Sequence, residues 1–390
     1  MNTITIGDEM PEGFEIYVVQ PGDTVDDIAR KYGINVELLI TDNQIVFPYA
    51  LAIGQALLID LGVRTPVRSL RVSGYAYPFI SEWVLRQTLP FLSELPVFSY
   101  GFSTNGKLIP PNYPEDWVIS LAKEYGTLPI LTLTPFDENG NFSNVLISRV
   151  VNDDLAIQNL IDNLLITMET KGYVGIDIDF EYILAEDREV FTAFVSEIAD
   201  VMKSNGYHTS IALAPKISDG QKGLLYEGKD YNALGELVNH ALIMTYEWGY
   251  TYGPPMAVAP INQVRRVVEY AITEIEPSKI DLGIPNYGYD WPLPYERGVT
   301  AATTIGNVQA IQIAIAQGAS IQFDELSQSP YFTYEMDGIK HEVWFEDVRS
   351  IQKKLELIDE YALGGCGYWQ IMRWWRANWK LLEKYYYIDK

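Results

Sequence analysis

The sequence predicts an α/β protein: a closed barrel of eight parallel strands with helices outside, preceded by a small β-α-α-β module and carrying an α+β insertion between its last two strands. Three observations carry this reading. From Leu70 onward short apolar runs alternate with helical periods, and the runs number eight. No Gly-rich phosphate turn follows the first run, which disfavours an open doubly wound sheet. The stretch Gly175-Ile176-Asp177-Ile178-Asp179-Phe180-Glu181-Tyr182 sets three carboxylates at spacing two among Ile and Phe. A strand there sends its acids to one face and its apolar residues to the other, as a barrel strand does between lumen and outer helices.

Composition narrows the class. The 390 residues are 48% hydrophobic, ample for one large core and a small extra module. The chain lacks an apolar run of about 18 residues, and its acidic, polar start MNTITIGDEM has neither the basic nor the apolar region of a secretory signal. A formal charge of −24 argues against nucleic acid or another polyanion as partner. The single Cys366, in an apolar Gly-rich run, reads as an inert buried thiol, and three His leave little material for His-based metal or triad chemistry. No cofactor and no metal are expected, and a monomer is the expected state.

The first module spans residues 14–61. The strand Ile16-Tyr17-Val18-Val19 leads to Pro21-Gly22-Asp23-Thr24, where Thr24 is a helix N-cap with Asp27 three residues on, and Val25, Ile28, Ala29 and Tyr32 mark a helix that Gly33 stops. A second helix runs from Asn35 through Leu39, and Ile53-Gly54-Gln55 precedes the strand Leu57-Leu58-Ile59. This succession, with Tyr-x-Val-x-x-Gly-Asp-Thr, Ile-Ala-x-x-Tyr, Asn43 and Gly-Gln-x-Leu-x-Ile in order, resembles a LysM domain. The resemblance implies binding to the β-1,4-linked N-acetylglucosamine backbone of peptidoglycan or chitin; the alternative is a cap that only packs on its neighbour. Residues 62–69, with Pro66 and no period, read as a linker.

The barrel domain covers residues 70–390, with strands expected at 70–77, 97–102, 129–134, 174–181, 208–214, 240–246, 280–286 and 365–371. Helical periods are clearest at 154–171, 186–205 and 258–275. The interval before the last strand is too long for one helix. It holds a helix at 303–317 and apolar alternations around Asp337-Gly338, a hairpin signal, so an insertion is expected at about 292–345. Its Tyr331, Phe332, Tyr334, Trp344 and Phe345 suit either sugar stacking or the insertion's own core.

Three readings compete for the acidic strand. A solvated edge strand conflicts with its apolar alternate face. Mg²⁺ or Ca²⁺ would suit oxygen ligands, but no metal loop accompanies them. An acid/base site with Glu181 as proton donor fits a position at the strand's C-terminal end. Asp-x-Asp-x-Glu closing an apolar strand resembles the signature of family 18 glycoside hydrolases, the chitinase and endo-glucosaminidase family. The resemblance implies retaining hydrolysis in which the substrate's own 2-acetamido oxygen attacks the anomeric carbon, an exception to the two-carboxylate scheme. It assigns proton donation to Glu181, orientation of the acetamide to Asp179, and proton sharing with Asp179 to Asp177. One departure is Val174, where the family pattern usually opens with another acid.

The other strand ends supply sugar-binding candidates. Met244-Thr245-Tyr246-Glu247 matches the family's Met-x-Tyr-Asp with Glu247 for Asp, which implies that Tyr246 bonds the acetamide and that Met244 and Glu247 line the sugar. Trp369 matches the floor beneath the −1 sugar. Gln370, Asn286, Tyr287, Tyr75 and Tyr100 are further substrate-binding candidates, each also suited to barrel packing. A lone LysM before such a barrel, with Tyr-Glu-Trp-Gly after strand six, resembles the spore-cortex N-acetylglucosaminidases of spore-forming bacteria. The expected partner is therefore peptidoglycan or chitin-type polysaccharide, and the expected location is the spore after synthesis in the mother cell, with no membrane involved. A chitinase and a non-catalytic lectin are the alternatives, the second disfavoured because the chain keeps Glu181.

Overall fold

A computed structural model describes residues 13–62, 65–136, 140 and 142–390, so the first twelve residues lie outside the described part, as do Val63 and Arg64 of the expected linker. The eight barrel strands are β1 (Ser69–Gly74), β2 (Glu94–Phe102), β3 (Leu128–Leu133), β4 (Gly175–Ile178), β5 (His208–Leu213), β6 (His240–Ile243), β7 (Ile280–Pro285) and β8 (Gly365–Trp369). Each pairs in parallel with its sequence neighbours, and β8 and β2 both pair with β1, which closes the ring. The strands read as near-continuous apolar runs because the helices cover one face and the lumen packing the other. The helix Asp154–Lys171 shows how the outer layer is set: Asp153 caps its first turn by accepting from Leu155 and Ala156, Gly172 ends it at φ 83°, and Ile157, Leu160, Ile161, Leu164 and Met168 bury one face.

Strand β4 is shorter than the expected 174–181. Ladder pairing with β3 and β5 stops at Ile178, although the Asp179 N–H still reaches the Leu133 carbonyl at 2.9 Å. Alternation persists through the extended backbone beyond. Ile176, Ile178 and Phe180 enter the core, with Phe180 stacked between Phe102 (5.3 Å) and Phe194 (5.7 Å) of the outer layer.

The insertion begins earlier than expected, at Gly288. Gly288–Leu293, Thr303–Ile305, Gln322–Asp324, Ser329–Met336 and Ile339–Trp344 form a five-stranded antiparallel sheet, and Asp337 and Gly338 turn its central hairpin with positive φ at both positions. Thr303-Thr304-Ile305, β-branched throughout, forms a strand, so the helix starts at Asn307. Phe332 and Phe345 are core; Tyr331 and Trp344 stack on the opposite face at 4.6 Å.

The N-terminal module is not a tethered bead. Its strands Phe14–Val18 and Ala56–Asp60 pair antiparallel, and its helices are Val25–Tyr32 and Val36–Asp42. Alternation splits the second strand: Leu57 and Ile59 join the module's own core, whereas Ala56 and Leu58 join the barrel's. Phe14 packs on Tyr385 at 5.9 Å, and two partly buried ion pairs cross the seam, Lys384–Asp60 at 2.6 Å and Arg376–Asp42 at 2.7 Å. Gly54 sits so close to the insertion that a Cβ there would stand 1.9 Å from the Ile321 carbonyl oxygen, and its φ of +81° is one that L side chains rarely adopt. Among the described residues no helix is long and apolar enough to cross a membrane.

Candidate active site

Asp179 and Glu181 line a cleft of about 600 Å³ at the C-terminal mouth of the barrel, and Asp177 lies two residues earlier, buried behind the lining. Asp177 is deepest. Its two oxygens accept from the Tyr75 hydroxyl (2.9 Å) and the Ser210 hydroxyl (2.7 Å). The hydrogen-bond partners found for Asp177 are thus hydroxyls from beyond β1 and from β5. Asp179, also buried, keeps its Oδ1 without any hydrogen-bond partner. Glu181 lines the cleft half-buried, with Tyr182 beside it.

Environment separates the three acids. Burial, then the charges of Glu181 and Asp177, pushes the Asp179 carboxyl well above the usual carboxylate range. Burial also raises Glu181, opposed by Lys229 and reinforced by Glu247. Asp177 is raised by burial too, but the Ser210 and Tyr75 hydrogen bonds pull it back. Tyr246 is buried among these carboxylates, so its hydroxyl is held far above its ordinary value and stays a donor.

Tyr75, Met244, Tyr246, Glu247 and Trp369 all line the cleft as expected. Trp369 is steadied edge-on by Tyr75 at 5.7 Å and Phe98 at 4.9 Å. Glu247 adopts φ +68°, a left-handed conformation rare for a non-glycine residue, and accepts from the hydroxyls of Tyr287 and Tyr289, the latter at 3.0 Å. Four expectations need correction. Tyr100 turns away into the helix layer, donating to Glu115 at 2.5 Å, because the register of β2 against β3 shifts between Val97 and Tyr100 and flips the side chain's face. Asn286 donates to the carbonyls of Gln370 and Arg373 at 3.0 Å each, so it braces the loop after Trp369. Gln370 is spent on the Met372 N–H at 2.7 Å. Tyr287 is buried and reaches the site only through Glu247.

Two features escaped the sequence reading. The cleft continues past Trp369 along Tyr77 and Phe98 to Phe79 and Tyr113, whose rings lie 5.2 Å apart and which are each 55% exposed. Lys229 is 1% exposed, and its ammonium has no hydrogen-bond partner. Burial lowers its pKa to about 8, opposed by the charges of Glu181 and Asp179. Gly228 packs its Cα against Ile183, which leads the lysine in beside the acids. A lysine ahead of a helix carries no local pattern that announces burial.

Residues 138–373 match the family model Glycosyl hydrolases family 18, and residues 17–60 match the LysM domain. The chain is 38% identical to the cortical fragment-lytic enzyme of Bacillus subtilis (strain 168), an alignment covering 96% of this chain and 99% of that one. The crystal structure of the Bacillus cereus spore cortex-lytic enzyme SleL superposes with a TM-score of 0.91 at 32% identity, covering 97% and 99% of the two chains. A chitinase from Chromobacterium violaceum shares the fold, with a TM-score of 0.74 at 23% identity, covering 81% of this chain and 98% of that one.

Removing the cation beside the acids favours their protonated forms. Lys229→Met is therefore expected to move the alkaline limb of the site's pH–rate profile, where the proton donor is lost, to higher pH; a limb that stays in place would show that the acids do not feel this ammonium.

Proposed function

The chain belongs to glycosyl hydrolase family 18, with a LysM domain ahead of the barrel, and on that footing we propose that it cleaves spore-cortex peptidoglycan at N-acetylglucosamine with retention of configuration. The observation that carries the mechanism is the unpartnered Oδ1 of Asp179 in the cleft that Tyr246 also lines, next to a half-buried Glu181 whose carboxyl burial raises. A sugar seated on Trp369 would present its 2-acetamido group to that pair. Asp179 accepts the amide N–H, and Tyr246 donates to the carbonyl oxygen, which turns that oxygen toward C1. Glu181 gives its proton to the glycosidic oxygen as the C1–O bond breaks and the acetamido oxygen bonds to C1. Positive charge then lies on an oxazolinium ring, next to Asp179 and above Asp177, whose two hydroxyl bonds favour its anion. Water adds to C1, its proton passes to Glu181, and the acetamide is released.

The acids stand along one wall, which supports this route over an enzyme nucleophile on the far side of the sugar. The aromatic extension through Phe98, Phe79 and Tyr113 supports binding of several sugars on the glycone side, hence internal cleavage of glycan strands. High likeness along the full length to enzymes named for cortex and cortical fragments favours cortex peptidoglycan over chitin, and it goes with action inside the spore.

Glu181→Gln is expected to lower turnover of cortex fragments by at least several hundredfold while leaving their binding intact. Mass spectrometry of products checks both parts of the reading: near-native rates in Glu181→Gln contradict the acid's role, and chitin oligomers cut while cortex fragments stay whole contradict the substrate. On the LysM, Phe47 is 81% and Tyr49 43% exposed, ring to ring at 5.8 Å, with the barrel in place. The double change Phe47→Ala with Tyr49→Ala should weaken sedimentation with insoluble peptidoglycan several-fold by lowering effective concentration on the polymer. Turnover of short soluble fragments should stay unchanged; an equal loss on both would place these rings in the reaction. Point changes are needed because deleting the module would bare Phe14's partners on the barrel.

A further inference from the structure

Two of the chain's three histidines meet at the base of the barrel, at the opposite end of the strands from the cleft. His208 opens β5, His240 opens β6 and Glu94 opens β2. One nitrogen from each imidazole and one Glu94 oxygen lie within 4.8 Å of one another. Glu94 faces both rings, with Oε1 at 3.3 Å from His208 Nε2 and Oε2 at 3.2 Å from His240 Nε2. Glu94 and His240 are each 5% exposed, and neither His208 Nε2 nor either nitrogen of His240 makes a directed hydrogen bond despite these close carboxylates. Ligands around a common ion at about 2.0–2.2 Å stand roughly 3.2–3.5 Å apart, which is the spacing of the Glu94 oxygens from the two imidazole nitrogens.

We propose that Glu94, His208 and His240 form a structural site for a divalent transition metal of the zinc class at the base of the barrel. Two imidazoles and one carboxylate suit zinc and disfavour Mg²⁺ or Ca²⁺, which take all-oxygen shells. Behind the three ligands, Asp281 sets Oδ2 2.7 Å from His240 Nδ1 and is itself held by Arg71 at 2.6 Å, a carboxylate backing of the kind that orients metal-bound histidines. An ion there ties β2, β5 and β6 directly and reaches β7 and β1 through Asp281 and Arg71. His208, with its side chain 23% exposed, is the ligand through which an ion would enter, and a water would complete a four-coordinate shell.

The test is calorimetric titration of chelator-treated full-length protein with Zn²⁺, with Co²⁺ absorption as a report on geometry. Expected are one ion per chain, a tetrahedral Co²⁺ spectrum and a raised melting temperature. His208→Ala, at the half-open position where the fold tolerates change, should lower affinity at least about a hundredfold, and His341→Ala, remote from the cluster, should leave it unchanged. Absence of saturable binding, or binding that survives His208→Ala, overturns the site and leaves these residues as an ion network centred on His240. The outcome is independent of the glycosidase reading.

Discussion

Two aspartates carried into the dry lumen of a barrel set the terms for everything around them. A lone carboxylate there costs several kcal/mol, so each must find a proton, a hydroxyl or a cation. Asp177 is met by Tyr75 and Ser210, donors placed by the neighbouring strand ends, which offset part of the rise that burial imposes. Asp179 has a bare Oδ1 and is driven toward its protonated form. Lys229 adds a buried positive charge without a hydrogen bond of its own. The result is a row of chemically alike carboxyls, each raised by burial and each offset differently by its neighbours, which suits a reaction that first gives and then takes a proton.

The alternation of acids and apolar residues in 175–181 was enough to place Asp179 and Glu181 on the cleft lining with Asp177 buried behind them, because a period of two survives even where ladder pairing ends. Hydrophobic runs likewise located all eight strands. Failures came where tertiary detail decides a side chain's face. A register shift in β2 sends Tyr100 outward, and side-chain bonds to backbone carbonyls absorb Asn286, neither of which has a local signature. Lys229 and the Glu94–His208–His240 cluster depend on residues brought together from distant strands and loops, which composition and spacing do not report. The sparse histidine content argued against imidazole clusters, yet two of the three converge.

The LysM was legible as a module but not as a docked one. Ala56 and Leu58 belong to the barrel's core as much as to the module's strand, and the ion pairs Arg376–Asp42 and Lys384–Asp60 join residues 334 and 324 positions apart. Docking fixes the direction in which Phe47 and Tyr49 face while the aromatic floor of the cleft runs from Trp369 to Tyr113. The LysM domain and the barrel that carries the cleft thus pack together through a shared core and two ion pairs.

The central claim is that the sugar's own acetamide, held by Asp179 and Tyr246, does the work of a nucleophile while Glu181 manages the proton. The configuration of the newly formed reducing end reads out most directly the double displacement that this requires. Proton NMR in the first moments of hydrolysis of an N-acetylglucosamine-containing oligomer should show the β-anomer, relaxing to the equilibrium mixture as the product mutarotates. An α-anomer formed first would mean direct attack by water from the opposite face and would contradict the account.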